Sequence, residues 1–246
     1  MYCKIWQYSR IQKITLKTKS IKTTIMSTET LLKPEEVALE YQNFMQDVQK
    51  KVTINIALKD LEDLKAANYK LCFAKKVADK AYTVVWQSYD NYLFNNKFSW
   101  VPVYELFGSN IFESDIRVEV STNVQQIQLG ETSTLNSAGI LEDPITAGPK
   151  TLFTLNNDYG SIHPGVNQLS TGINGETIST PIYVAEDAVV SGKTELKPVE
   201  KILVWFEQNI ETSTMFSTSR SREVEIDLTN TNEASYIYEN QEWKKQ

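Results

Sequence analysis

The feature that most limits what this chain can become is a change of period at Asn68. Beyond it, apolar residues recur at every second position in one short run after another. A side-chain period of two belongs to strands with one buried face. The runs are Tyr69–Lys75, Tyr82–Tyr89, Phe98–Phe107, Ile116–Val124, Ile127–Gly130, Thr151–Asn156, Thr177–Val184, Lys201–Phe206, Glu223–Leu228 and Ser235–Tyr238. Short strands at this spacing predict an antiparallel β-sandwich or a partly closed barrel. Ile202 to Phe206 is apolar on both faces and is expected at the centre of a sheet. The apolar phase of Ile116–Leu129 slips by one at Gln125–Gln126, which calls for a bulge or a turn. Asp143-Pro144, Gly148-Pro149 and His163-Pro164-Gly165 are expected turns, and Asn174-Gly175 a hairpin.

Upstream the period is helical. Pro34 with Glu35 and Glu36 opens a stretch in which Val37, Tyr41, Phe44, Met45, Val48 and Val52 recur at steps of three and four. A second helix is expected over about Leu58 to Ala67, with Leu58, Leu61 and Leu64 on one face. The expected organisation is therefore a basic extension over 1–25, a helical segment over 26–68 packed on the β-domain, and an antiparallel β-sandwich over 69–246. Met26 followed by Ser-Thr-Glu-Thr reads as a natural start, with residues 1–25 an upstream extension or disordered tail.

Charge removes several function classes. Residues 1–25 hold six basic residues and no acid, so of 25 basic and 31 acidic residues 19 and 31 fall beyond Ile25. A body this acidic repels phosphate backbones, and no basic stripe interleaves with aromatics, so no nucleic-acid partner is expected. No apolar run is long enough for a membrane-spanning helix. None of the asparagines begins an Asn-X-Ser/Thr site, and two cysteines make no disulfide framework, so the chain reads as cytoplasmic, or as secreted without a signal peptide.

The inventory for catalysis is thin: one histidine, His163, and the cysteines Cys3 and Cys72. Cys72 alternates with Leu71 and Phe73 as a packed residue would, and His163 precedes Pro-Gly, so neither reads as nucleophile or base. Asp90, Asp115, Asp143 and Asp158 show no metal-ligand spacing, and no cofactor is expected. The aromatic group is richer. Trp86, Tyr89, Tyr92, Phe94, Phe98, Trp100 and Tyr104 crowd two expected strands and the Asn-rich loop between them. If those strands pair, Tyr89, Asp90, Tyr92 and Phe94 sit near an exposed tip, with Trp86 and Trp100 either packed behind it or sharing its surface. Asn157, Asp158 and Tyr159 form a second polar loop of similar chemistry.

These residues point to a non-enzymatic recognition module binding a glycan, a lipid headgroup or a protein partner, or a further copy of itself. Two other readings use different features. A cytolysin-like pore former could employ the Pro34–Val52 helix or a Ser/Thr-rich hairpin, and a hydrolase could work with carboxylates alone.

Overall fold

The structure, a computed structural model, describes residues 48–78, 80–217 and 222–246. The basic stretch and most of the helix expected from Pro34 lie outside these residues. Gln49–Gln246 form one compact unit, mainly β and without a closed barrel.

Three sheets build it. The largest runs in the order β10 (Thr177–Val184), β9 (His163–Thr171), β4 (Asn95–Ser109), β1 (Lys50–Ile56), β14 (Glu233–Glu239) and β15 (Glu242–Lys245), with β5 (Gln125–Ile127) also on β4. The second runs β13 (Val224–Asp227), β12 (Pro198–Glu207), β2 (Lys70–Val77) and β3 (Gln87–Tyr89). The third runs β11 (Gly192–Leu196), β8 (Phe153–Asn157), β6 (Glu131–Leu135) and β7 (Ile145–Thr146). Pairing is antiparallel except between β1 and β14 and between β6 and β8.

The first two sheets enclose one core. Val52, Ile54 and Ile56 of β1 and Phe98 and Trp100 of β4 meet Leu71 and Phe73 of β2 and Ile202, Val204 and Phe206 of β12. Phe73 and Phe98 stack with centroids 4.4 Å apart, and Trp86 stands edge-on to Phe98 at 5.0 Å. The alternate residues of the second sheet, Cys72, Ala74, Leu203 and Trp205, are covered by Val85, Ile210 and Phe216. Both faces of β12 are thus buried, as the unbroken apolar run from Ile202 required.

Each break in ladder register falls at a proline. Register shifts occur in β4 across Pro102, in β10 beside Pro181 and in β12 beside Pro198. Proline has no N–H to give a ladder, so the strand bulges there instead of leaving a carbonyl unpaired.

Four expectations are corrected. The helix from Pro34 does not reach Val52, because Lys50–Ile56 is β1, paired between β4 and β14, and its alternate residues Val52, Ile54 and Ile56 are buried in the core. Only the second helix, α1 (Leu58–Ala66), is present among the described residues. Tyr82–Tyr89 and Phe98–Phe107 do not pair: β3 bonds to β2 and β4 to β1, β9 and β5, so the intervening loop crosses between sheets. Ile116–Val124 is not a strand. Its bonds are scattered: the Ile116 carbonyl accepts from Met215 N–H and Val118 N–H donates to the Ser213 carbonyl on one side, while Ser121 N–H donates to the Gly108 carbonyl on the other, so no ladder forms, and Ile116, Val120 and Val124 remain exposed. His163-Pro164-Gly165 is not a turn but the start of β9, opposite Ser109, Gly108 and Phe107. The Asn174-Gly175 hairpin is present, joining β9 to β10.

Candidate functional site

Helix α1 places its polar face against the turn of the β14–β15 hairpin. That turn has two central residues, Asn240 and Gln241, with φ of 54° and 63°. Positive φ at both central positions matches the twist of paired strands, but it strains a residue that is not glycine. Asp60, in the first turn of α1, compensates. One carboxylate oxygen accepts the N–H of Asn240 at 2.9 Å and the other that of Gln241 at 3.0 Å. Asp60 is buried, yet both its oxygens are satisfied.

Between α1 and this hairpin lies a cleft of about 490 Å³, lined by Asp60, Asp63, Leu64, Tyr69, Phe206, Arg222, Tyr238 and Gln241. Its aromatic wall is backed by further rings. Phe206 stacks on Trp243 at 5.6 Å with an interplanar angle of 4°, Tyr238 packs on both at 4.9 Å, and Tyr92 supports Phe206 from behind. The Trp243 indole donates to the Arg222 carbonyl at 2.9 Å, and the Arg222 guanidinium donates to the Gln241 side chain. Asp63 is exposed on the rim. The site therefore offers an apolar wall beside a carboxylate, a guanidinium and an amide that can meet hydroxyl or carbonyl groups.

A second polar cluster is largely buried. Lys75 has no solvent-exposed side-chain surface and donates to Glu200 at 2.7 Å. The Trp100 indole donates to the same Glu200 oxygen at 2.7 Å, and the ammonium stands 4.5 Å from the Trp100 ring centroid. Burial pulls the Lys75 ammonium down to about 8 against the pull of Glu200. Burial also pushes Glu200 up, but the charge and hydrogen bond of Lys75 and the bond from Trp100 together hold it below its ordinary value. A lysine with lowered pKa can be a nucleophile, but this one has no path to a substrate and reads as structural.

The expected binding residues are dispersed. Trp86, Tyr89, Tyr92 and Trp100 are all buried, which corrects the expectation that Tyr89 and Tyr92 stand near an exposed tip. Because the chain crosses between sheets here, residues on either side of the loop face one another across the core. Trp86 and Trp100 meet at 5.7 Å, and the Tyr92 hydroxyl donates to the Tyr69 carbonyl at 2.9 Å. The Tyr89 hydroxyl makes no well-formed hydrogen bond, although burial and the facing Glu176 carboxylate raise its pKa. Of this group only Asp90 and Phe94 are exposed. In the second loop Asn157 is buried and organises the backbone, donating to the Gly160 and Val189 carbonyls and accepting from Tyr159 N–H, while Asp158 and Tyr159 are exposed. Cys72 is packed in the second sheet, and His163 bonds through Nδ1 to the Ala185 carbonyl at 2.8 Å.

Among the described residues no three His, Cys, Asp or Glu side chains gather as a metal site requires, and no helix is long and apolar enough to cross a membrane. No protein-family model matches the chain, and comparisons with curated proteins and with solved structures find no match. Of the cleft residues the sequence named Leu64 as a residue of the apolar helix face and Tyr69, Phe206 and Tyr238 as strand residues, none of them for binding. The one local signal was Asp60, an acid one turn from Leu64 on a helix whose apolar face is narrow.

Proposed function

We propose that this protein is a non-enzymatic recognition module whose binding site is the cleft between α1 and the β14–β15 hairpin, and that its ligand is a sugar unit. The observation that carries this is the cleft itself, a concave site of about 490 Å³ in which an aromatic wall stands beside a few convergent polar groups. A pyranose has an apolar C–H face suited to Tyr69 and Tyr238, and hydroxyls suited to Asp63, Arg222 and Gln241. Binding without turnover is favoured because Asp60, the other carboxylate in the cleft, already accepts two backbone hydrogen bonds and is committed to the hairpin turn.

A glycan array probed with the full chain, followed by calorimetry on any sugar retained, tests this. Asp63→Ala and Arg222→Ala should each weaken binding about tenfold or more while the fold is unchanged. A blank array, or binding that both variants leave intact, would remove the reading.

A further inference from the structure

We infer that the tip formed by Leu58, Leu93 and Phe94 inserts into a lipid bilayer surface. This rests on residues outside the cleft and is independent of what the cleft binds.

The three side chains are 69%, 61% and 68% exposed, and they belong to neighbouring segments. The Phe94 carbonyl accepts from Ile56 N–H at 3.0 Å, two residues before Leu58, and Asn95 donates to the Asn55 side chain at 2.7 Å. Their exposure is not that of a loose loop. Asn96 is buried and clamps Leu93 on both backbone groups: its Oδ1 accepts Leu93 N–H at 2.8 Å, and its Nδ2 donates to the Leu93 carbonyl at 2.6 Å and the Ile54 carbonyl at 3.2 Å. Tyr92 is anchored in the core on one side of the pair and Phe98 on the other. Leu93 and Phe94 are thus held outward by a fixed backbone, and the ordering entropy of presenting them is already spent in folding.

Size and charge decide the partner. The exposed surface of the three residues is on the order of 400 Å², enough for a functional patch but about half of the roughly 800 Å² per side that a stable protein–protein interface buries. Lys59 and Lys97, both exposed, flank it and form no ion pair among the described residues, leaving two ammonium groups to meet lipid phosphates while the apolar tips go below them. Glu62, one helical turn from Leu58, and Asp90 in the neighbouring loop are exposed acids that offset these lysines, so the apolar contact is expected to carry the binding.

The test is cosedimentation of the full chain with phosphatidylcholine vesicles, with and without added phosphatidylserine. The wild-type protein should bind both to a similar extent. Leu93→Ser with Phe94→Ser should lower binding about tenfold or more with an unchanged melting temperature, since exposed substitutions are usually near neutral. Phe94→Trp should gain quenching by brominated acyl chains, which charge-driven adhesion alone does not produce. Absence of wild-type binding, or equal binding by the double serine variant, overturns the inference. So does a concentration-dependent dimer that the double variant abolishes without any vesicle binding, which would assign the tip to a second copy.

Discussion

Lys75 and Trp100 donate to the same oxygen of Glu200, each at 2.7 Å, so one partly exposed carboxylate ties the second sheet to the first at the margin of the core. Glu200 reaches inward because β12 carries two extra residues between Pro198 and Ile202 relative to β2. Removing the carboxylate with Glu200→Ala leaves an unpaired buried ammonium and should cost about 3–5 kcal/mol, whereas Lys75→Met with Glu200→Gln should be within about 1 kcal/mol of wild type. Chemical denaturation of the three proteins measures both.

The same lysine gives the stability curve a direction. Its folded pKa of about 8 lies below its unfolded value near 10.4, so between the two the unfolded chain binds more protons and stability rises with pH, by up to about 3 kcal/mol. Burial raises the pKa of Tyr82, Tyr89, Tyr92 and Tyr104, and pushes Tyr183 up to about 12. Above about pH 10 the unfolded chain loses these protons first and stability falls. Denaturation midpoints from pH 7 to 11 should pass through a maximum, and Lys75→Met should lack the rising limb.

Asp60 is predicted to be the main support of the hairpin turn beside the cleft. Asp60→Ala strands two N–H groups and should cost about 2–3 kcal/mol. Gln241→Gly relieves a positive φ and should offset part of that loss in the double variant, by up to about 1 kcal/mol. Melting curves for both single variants and the pair separate the two effects.

Tyr92 and Phe94, two residues apart, should behave oppositely. Tyr92→Ala empties a buried site between Phe206 and Lys65 and should cost about 3–5 kcal/mol, while Phe94→Ala should lie within about 0.5 kcal/mol of wild type. Equal effects on the melting temperature would mean that the loop does not cross between sheets as described.

Gly165 is the residue over which the Phe107 ring packs. A Cβ there would come within 2.2 Å of that ring. Gly165→Ala should therefore destabilise by about 1–3 kcal/mol through overpacking, and the loss should shrink when Phe107→Leu is added. A double-mutant cycle reads the coupling.

What could be read from the sequence follows from what is local. The alternation in Thr177–Val184 appears as β10, the unbroken apolar run Ile202–Phe206 lies within β12, and Leu58, Leu61 and Leu64 mark α1 almost to the residue. Strand β1 was hidden because Val48 and Val52 stand one helical turn apart, which continued the upstream helical step into residues whose own period is two. The aromatic hairpin failed for a different reason. Alternation says that Trp86 and Trp100 each have a buried side but not which sheet each belongs to, and neighbours in sequence were paired when they face one another across the core. The cleft lies beyond any local pattern, since its walls come from α1, β12 and the β14–β15 hairpin and only the order of the sheets brings them together.

The parallel contact of β1 with β14 has a consequence for how the chain is made. Asn55 and Ser235, whose side chains hydrogen-bond, are 180 residues apart, so at the usual rates of synthesis β14 emerges on the order of 10 to 40 s after β1. β4 arrives far sooner and covers one side of β1, but the other side stays open on the ribosome throughout that interval. A strand that ends in the middle of the sheet is thus born as an edge, with Val52, Ile54 and Ile56 available to any other extended chain nearby. The hazard to this protein in a cell is set by the waiting time of that unpaired edge, and so by translation speed and by the chaperones that cover it.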